Sequence, residues 1–215
     1  MIHKTAIIDS KAKISTSAKI GAYSVIGPNV EIGDNTIIHS QVNISGNTKI
    51  GIGNKIYPFA AIGNDPQDLK FNDEETKLII GDNNKIREYV TIHPGTEGGG
   101  GLTKIGNKCL FMISSHVAHD CRVGNNVIIA NNVPLGGHVT IEDNVVIGGN
   151  SAVQQFTRIG QMAMIGGQAG ISGHLKIGNN VQIGGGSGVI NDIPDNTKVM
   201  GYPAKNLKDF IRENK

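Results

Sequence analysis

The 215-residue sequence predicts an all-β fold, a left-handed parallel β-helix of hexapeptide repeats closed by a short C-terminal helical cap. Three observations support this fold class. Isoleucine recurs at every sixth position from Ile2 to Ile62, glycine often follows it, and aromatic residues make up only 4% of a chain that contains 30 glycines. Stacked aliphatic coils with small residues at the bends explain this pattern better than a core of large rings.

The repeat continues beyond the first run. The six-residue period of apolar residues returns at Ile80, Ile86 and Ile92. It then continues with its phase shifted by one residue, at Ile105, Phe111, Val117, Val123, Ile129, Leu135, Ile141, Ile147, Val153, Ile159, Ile165, Ile171, Ile177, Ile183 and Val189. We therefore expect residues 1–190 to form the β-helix and residues 191–215 to form a tail. Leu207, Phe210 and Ile211 have helical spacing, which predicts a short helix over the open end of the coil.

Two stretches, residues 63–79 and 93–104, interrupt the repeat. Their on-phase positions include Asp68 and Glu74, whose charges exclude them from an apolar core. Both stretches are expected to leave the coil as loops. Long loops on a regular scaffold commonly carry function, although tolerated solvated insertions are the alternative.

Composition excludes several classes of protein. The net charge is only +2, with basic and acidic residues interspersed, so no nucleic-acid partner is expected. The sequence has no apolar run long enough for a membrane span and no signal peptide, which predicts a cytoplasmic location. Cys109 and Cys121 are too few for a disulfide framework, and we expect two small, buried, free thiols.

If three hexads make one turn, residues eighteen apart stack at about the 4.8 Å strand spacing. One column then contains His119, Gly137, Gln155 and Gly173. The neighbouring column contains Asp120, His138, Phe156 and His174. Four polar groups are therefore expected to lie within about two coils of one another: His116, His119, Asp120 and His138. No such polar neighbours are expected for His3, His39 and His93.

The pair His119 and Asp120 offers a general base with an orienting carboxylate. Gly137, one coil away, has no side chain, so its N–H can approach a developing oxyanion closely. This combination favours acyl transfer. Solvated corner residues are one alternative, and a zinc site formed by His116, His119 and His138 is another. A zinc site is disfavoured because Asp120 already partners His119. We therefore expect no metal and no cofactor.

Three segments resemble a known family: SHVAHDCRVGN at 115–125, NNVPLGGHV at 131–139 and PQDLKF at 66–71. They are similar to the UDP-N-acetylglucosamine 3-O-acyltransferases of lipid A biosynthesis over roughly residues 1–190. The resemblance implies a homotrimer with active sites in clefts between subunits. It also implies transfer of a 3-hydroxyacyl group from an acyl carrier protein thioester to the glucosamine 3-hydroxyl of a UDP-linked sugar.

The resemblance also implies residue roles. His119 corresponds to the catalytic base, Asp120 to its partner and the Gly137 N–H to the oxyanion donor. The corresponding substrate-binding positions are Gln67, Asp68 and Lys70 for the sugar nucleotide or acyl product, His116 and His138 in the substrate cleft, Gln155 near the nucleotide, and Gly167, which limits acyl length. Glycine at the last position leaves the groove open and favours a longer chain.

The sequence departs from the family in four places. Gln154 stands where the family has a histidine, and the chain stops at Lys215, whereas the family continues into a helical domain that supplies basic residues to the nucleotide. Residues 164–190, with His174 as a further substrate-binding candidate, resemble a later N-acyltransferase of the same pathway. GYPAK at 201–205 resembles the end of acetyl-CoA-dependent hexapeptide acetyltransferases.

Four alternatives therefore stand beside the 3-O-acyltransferase. Two are acyltransferases: a UDP-amino-sugar N-acyltransferase and an acetyl-CoA enzyme. The others belong to different classes: a zinc hydrase, and a catalytically silent β-helix such as an ice-binding protein. The last would require outward-facing threonine ladders, and none runs through the sequence.

Overall fold

The computed structural model describes residues 1–213 and confirms the predicted fold class: three sheets of 10, 9 and 11 strands form the sides of a triangular coil. The first sheet comprises Ile7–Ile8, Val25–Ile26, Asn43–Ile44, Ala61–Ile62, Thr91–Ile92, His116–Val117, Pro134–Leu135, Ala152–Val153, Gly170–Ile171 and Gly188–Val189. The second comprises Lys13–Ile14, Val30–Ile32, Asn47–Ile50, Lys77–Ile80, Leu102–Ile105, Arg122–Val123, Thr140–Ile141, Arg158–Ile159 and Lys176–Ile177. The third comprises Lys19–Ile20, Ile37–Ile38, Lys55–Ile56, Lys85–Ile86, Leu110–Phe111, Ile128–Ile129, Val146–Ile147, Met164–Ile165, Gln182–Ile183, Lys198–Met200 and Lys205–Asn206.

The predicted isoleucine repeat forms the core. Successive strand residues point to opposite faces, so the on-phase residue of each short strand points inward. Ile44 pairs with Ile62 in the next coil, and both side chains are fully buried. Parallel pairing through the coil stacks these aliphatic side chains into one continuous interior.

Phe111 is the largest fully buried side chain and yields a stability prediction. Phe111→Ala leaves a cavity that the stacked coils cannot close, so we expect the free energy of unfolding to fall by about 3 to 5 kcal/mol. The matched control is Phe59→Ala, because Phe59 is 45% exposed and only stacks on Tyr89. Its expected loss is below about 1.5 kcal/mol. Urea titration measures both, and equal losses would contradict this account of the core.

The two interruptions leave the coil but are shorter than predicted. They span residues 63–76 and 93–101, which we call the first and second excursions, rather than 63–79 and 93–104. The difference arises because Lys77–Ile80 and Leu102–Ile105 form four-residue strands that pair with each other. Leu78 points into the core, so the strand begins before the next on-phase isoleucine. The second excursion also contains a 3₁₀ helix, Glu97–Gly99.

Both cysteines are buried and unpaired, as expected. The Cys109 Sγ lies 3.2 Å from the Gly124 carbonyl oxygen, and the Cys121 Sγ lies 3.2 Å from that of Gly136. Burial raises the pKa of Cys109 to about 11 and that of Cys121 to about 12. Both therefore remain thiols at neutral pH, and neither is suited to act as a nucleophile.

The C-terminal end carries the predicted helix, Leu207–Glu213. It follows Lys205–Asn206, which pairs antiparallel with Lys198–Met200 at the end of the third sheet. Within the helix, the Phe210 ring packs against Gly201. Residues 214–215 of the predicted tail lie outside the described residues. Within residues 1–213, no helix is long and apolar enough to cross a membrane.

Candidate active site

Most of the candidate residues lie at one edge of the coil. The His119 corner, defined as residues 118–121, 136–139 and 154–157, connects the first sheet to the second. His116 pairs with Pro134 in the adjacent coil, and the backbone N–H of His138 donates to the His119 carbonyl at 3.0 Å. The eighteen-residue stacking is therefore present, with His119 beside Gly137 and Asp120 beside His138.

His119 and Asp120 form a hydrogen-bonded pair. The His119 Nδ1 lies 2.8 Å from the Asp120 Oδ2, and the side chains are 14% and 1% exposed. Burial by itself raises the pKa of Asp120, but hydrogen bonds from His119 and Thr96 outweigh it and hold the pKa below its usual value. An ionised Asp120 accepts from Nδ1–H, which leaves a lone pair on the His119 Nε2.

The second excursion closes over Asp120. The Thr96 backbone N–H donates to the Asp120 Oδ1 at 3.0 Å, and the Thr96 Oγ1 donates to Oδ2 at 2.7 Å. Thr96 is itself buried. The interruption of the repeat predicted a functional loop here but did not predict a role for Thr96. The only signal was a hydroxyl residue inside an interruption of the repeat.

Gly137 lies directly against the imidazole. A Cβ placed on Gly137 would come within 2.6 Å of both the Cε1 and Nε2 of His119. Among residues 1–213, no acceptor takes a hydrogen bond from the Gly137 N–H. The corner thus places a base nitrogen beside a residue whose backbone N–H has no acceptor among the described residues, and two such groups can accept a proton and stabilise an oxyanion.

A groove of about 710 Å³ opens onto this pair. The first excursion contributes Gln67, Asp68 and Lys70 to one wall, and Gln155 lies on the coil side. The Asp68 Oδ2 is 4.0 Å from the His119 Nε2. A groove of this size can accommodate a ligand of a few hundred daltons with several polar contacts.

His116 and His138 line the same groove. The His116 Nδ1 lies 2.7 Å from the Thr91 Oγ1, and burial lowers the pKa of His116, with a further contribution from His119. Burial is also the main cause of the lowered pKa of His138, whose ring stacks on Phe156 at 4.3 Å. Both imidazoles are therefore neutral hydrogen-bonding groups at pH 7.

His93 also belongs to this cluster, and the expectation that it stands alone is wrong. Its ring centroid lies 4.8 Å from that of His116, and its Nδ1 accepts from the Gln67 N–H at 3.4 Å. The reason is that the second excursion breaks the eighteen-residue spacing. Thr91 pairs with His116, so residues 25 apart become neighbours at this level.

Burial of His93 yields a pH prediction. Burial, together with His116 and His119, lowers the pKa of His93 from 6.5 to about 4. The unfolded chain binds this proton below pH 6.5 while the folded chain stays neutral, so stability falls as pH drops from about 6.5 to about 4. Integrated over this pH range, a shift of this size gives an expected loss of about 2 to 3 kcal/mol.

His93→Gln should remove that pH dependence while retaining a polar side chain. We expect the difference in unfolding free energy between pH 7 and pH 4.5 to be smaller in His93→Gln than in the wild type. Urea titrations at both pH values measure it. Identical pH dependences in the two proteins would refute the assignment.

Two candidate residues lie away from the groove. Gly167 is at the corner between the third and first sheets, next to Gly149. His174 continues the His119 corner, where its ring stacks on Phe156 at 4.7 Å, beyond the residues that line the groove. Within one chain, neither reaches His119.

Ligand atoms of His119, Asp120 and His138 lie within 4.8 Å of one another, so this group has Asp120 in place of the His116 named in the zinc alternative. The Asp120 oxygens, however, already accept hydrogen bonds from Thr96 and His119. A metal would have to displace these bonds. The donor set therefore fits a hydrogen-bonded catalytic pair better than a zinc site.

Comparisons with known proteins show which family the coil resembles. The family model for bacterial transferase hexapeptide (six repeats) matches residues 11–46 and 102–133. The acyl-[acyl-carrier-protein]–UDP-N-acetylglucosamine O-acyltransferase of Syntrophobacter fumaroxidans is 50% identical over 130 residues, covering 60% of this chain. That match spans 50% of the length of the relative.

Solved structures cover more of the chain. LpxA from Acinetobacter baumannii is 41% identical with a TM-score of 0.80, covering 99% of this chain and 77% of that one. LpxA from Bacteroides fragilis, a UDP-N-acetylglucosamine acyltransferase, is 36% identical with a TM-score of 0.76, covering 100% and 78%. With this identity along the whole coil, the chain belongs to the UDP-N-acetylglucosamine acyltransferase (LpxA) family of hexapeptide-repeat proteins.

Proposed function

We propose that the protein transfers a 3-hydroxyacyl group from acyl carrier protein to the 3-position of a UDP-linked N-acetylglucosamine-type sugar, the first step of lipid A biosynthesis. The observation that carries this proposal is the His119 corner. There, a histidine held by a buried carboxylate lies with its ring Cε1 and Nε2 beside Gly137. The names of the relatives support the same donor and acceptor.

In the proposed reaction, His119 is the general base. Its Nε2 takes the proton from the sugar 3-hydroxyl as that oxygen attacks the thioester carbonyl carbon. The carbonyl oxygen becomes an oxyanion that accepts from the Gly137 N–H, and ionised Asp120 stabilises the imidazolium. Collapse of the intermediate breaks the carbon–sulfur bond, and His119 returns its proton to the departing thiolate. No covalent enzyme intermediate and no cofactor are required.

The groove residues are proposed to hold the substrates. The Lys70 ammonium is suited to phosphate or an acyl carbonyl, and Gln67 and Gln155 offer amide groups to the sugar nucleotide. Asp68, 4.0 Å from the His119 Nε2, can accept from a sugar hydroxyl and orient it toward the base. Neutral His116 and His138 contribute hydrogen bonds without adding charge.

We also propose a homotrimer, with sites in the clefts between subunits. The outer face of the third sheet supports this, because an apolar row of stacked side chains runs along it: Leu110, Ile128, Val146 and Met164. A neighbouring copy would cover this row and could bring its own Gly167 or His174 toward the groove. Sedimentation equilibrium should give three times the chain mass of 22.7 kDa. A monomer at micromolar concentration would contradict the proposal.

Acyl carrier protein thioesters and two free thiols are both compatible with a reducing cytoplasm, where we propose the reaction takes place.

A panel of acyl donors and sugar acceptors tests the proposed function. We expect the highest kcat/KM for a 3-hydroxyacyl carrier protein with UDP-N-acetylglucosamine. A higher kcat/KM with acetyl-CoA, or with a 3-amino acceptor, would instead favour an acetyltransferase or an N-acyltransferase.

A further inference from the structure

The Asp120 carboxylate is held mainly by a loop outside the coil. It accepts three hydrogen bonds, one from the His119 Nδ1 and two from Thr96. Titratable groups around it also include the Cys121 thiol, His138, whose Nε2 is 3.9 Å from Oδ2, and, beyond the His119 ring, Asp68. With an Asp120 side chain only 1% exposed, water cannot replace a lost donor easily.

Thr96 occupies the N-cap position of the Glu97–Gly99 helix. A threonine at this position typically uses its side-chain oxygen to accept a hydrogen bond from its own helix. Here the side chain makes no capping hydrogen bond, and its hydroxyl is directed to Asp120 instead. The Thr96 hydroxyl therefore bonds to the Asp120 carboxylate and does not cap its own helix.

Gly99 lies against the same carboxylate one turn later. A Cβ on Gly99 would fall 2.0 Å from the Asp120 Cγ, whereas a Cβ on neighbouring Gly98 would meet nothing within 4 Å. The loop is also tied down, because the Gly101 N–H donates to the Thr96 carbonyl at 2.8 Å and the Glu97 N–H donates to the Glu74 Oε1 at 3.2 Å. The second bond connects the two excursions.

We propose that Thr96 is a positioning residue that fixes Asp120, and through it the His119 imidazole, for proton abstraction, and that Gly99 is required because its bare Cα leaves room for the carboxylate. The inference rests on the proposed role of His119 as general base. It assigns part of the catalytic arrangement to the second excursion rather than to the repeat.

The kinetic test uses two matched pairs of variants. Thr96→Val removes the hydroxyl donor at nearly constant volume, and Thr96→Ser restores it. Gly99→Ala displaces the carboxylate, whereas Gly98→Ala makes the same change in open space. We expect Thr96→Val and Gly99→Ala to lower kcat about 10- to 100-fold with little change in KM, because each disturbs a hydrogen bond to a charged group. Thr96→Ser and Gly98→Ala should stay within about threefold of the wild type.

Rescue by the conservative variant separates positioning from general loop damage. If the hydroxyl bond to Asp120 matters, kcat falls in Thr96→Val and returns in Thr96→Ser, while KM stays nearly the same in both. An unchanged kcat in Thr96→Val, an equal loss in Thr96→Ser, or equal losses in Gly98→Ala and Gly99→Ala would each overturn the proposal.

An activity-independent measurement keeps this inference separate from the proposed function. Nitrogen-15 shifts of the His119 ring report its tautomer. We expect the Nδ1–H form in the wild type and a mixture of tautomers in Thr96→Val. If the wild type transfers no acyl group, the proposed function fails, while the shifts still decide the positioning role. The same tautomer in both proteins would contradict it. If Thr96→Val does not fold, the glycine pair decides.

Discussion

His119→Ala should lower kcat by about 10² to 10⁴-fold, the usual contribution of a positioned general base. His119 carries the lone pair that faces Gly137, and the nearby imidazoles of His116 and His138 do not share its bond to Asp120. The KM for the sugar nucleotide should change little, because the base acts in the transition state rather than in binding. Steady-state kinetics with a carrier-protein donor measure both values.

His3→Ala is the matched control. His3 is exposed at the first coil and interacts with Thr5, far along the chain from the groove. Its kcat should equal that of the wild type. If His119→Ala and His3→Ala had the same kcat, the base would have to be another residue, and the account of the corner would fail.

Gly137→Ala should lower kcat by about 10² to 10³-fold, comparable to the loss of an oxyanion donor. The added methyl group would lie 2.6 Å from the His119 ring, so either the imidazole or the peptide must move. Either movement would separate the proposed base from the proposed oxyanion donor. The fold should persist, because residue 137 is at a corner rather than in the core. Steady-state kinetics test the loss of kcat, and the thermal unfolding midpoint tests whether the fold persists.

Gly27→Ala provides the matching control for this substitution. A Cβ at Gly27 would contact Ser45 at an ordinary 3.4 Å, in a coil remote from the groove. It should leave kcat unchanged. Wild-type activity in Gly137→Ala would show that the space beside His119 is not needed for the reaction.

The fold follows from the sequence because a single spacing dictates it. Each on-phase isoleucine, such as Ile44 or Ile62, can be buried only if the chain turns every six residues and stacks every eighteen. The same eighteen-residue spacing is enough to predict that His119 lies against Gly137. Strand and corner positions are therefore predictable wherever the repeat is unbroken.

Where an excursion interrupts the repeat, spacing no longer predicts which residues become neighbours. His93 and Thr96 lie at the start of the second excursion, and no periodicity relates an excursion to the coil beneath it. The contact from Thr96 to Asp120 spans 24 residues and depends on the path of that loop. Gly167 shows a different limit, because its corner is separate from the His119 corner in one chain. In the proposed trimer its role would depend on a neighbouring copy, and the repeat does not predict where that copy lies.

The most direct test of the central claim is the position of the acyl group in the product. Wild-type protein, given a 3-hydroxyacyl carrier protein and UDP-N-acetylglucosamine, should release a nucleotide sugar that tandem mass spectrometry shows to be acylated on the glucosamine 3-oxygen. His119→Ala should release almost none. Absence of product with the wild type, or acylation at any other atom, would contradict the account.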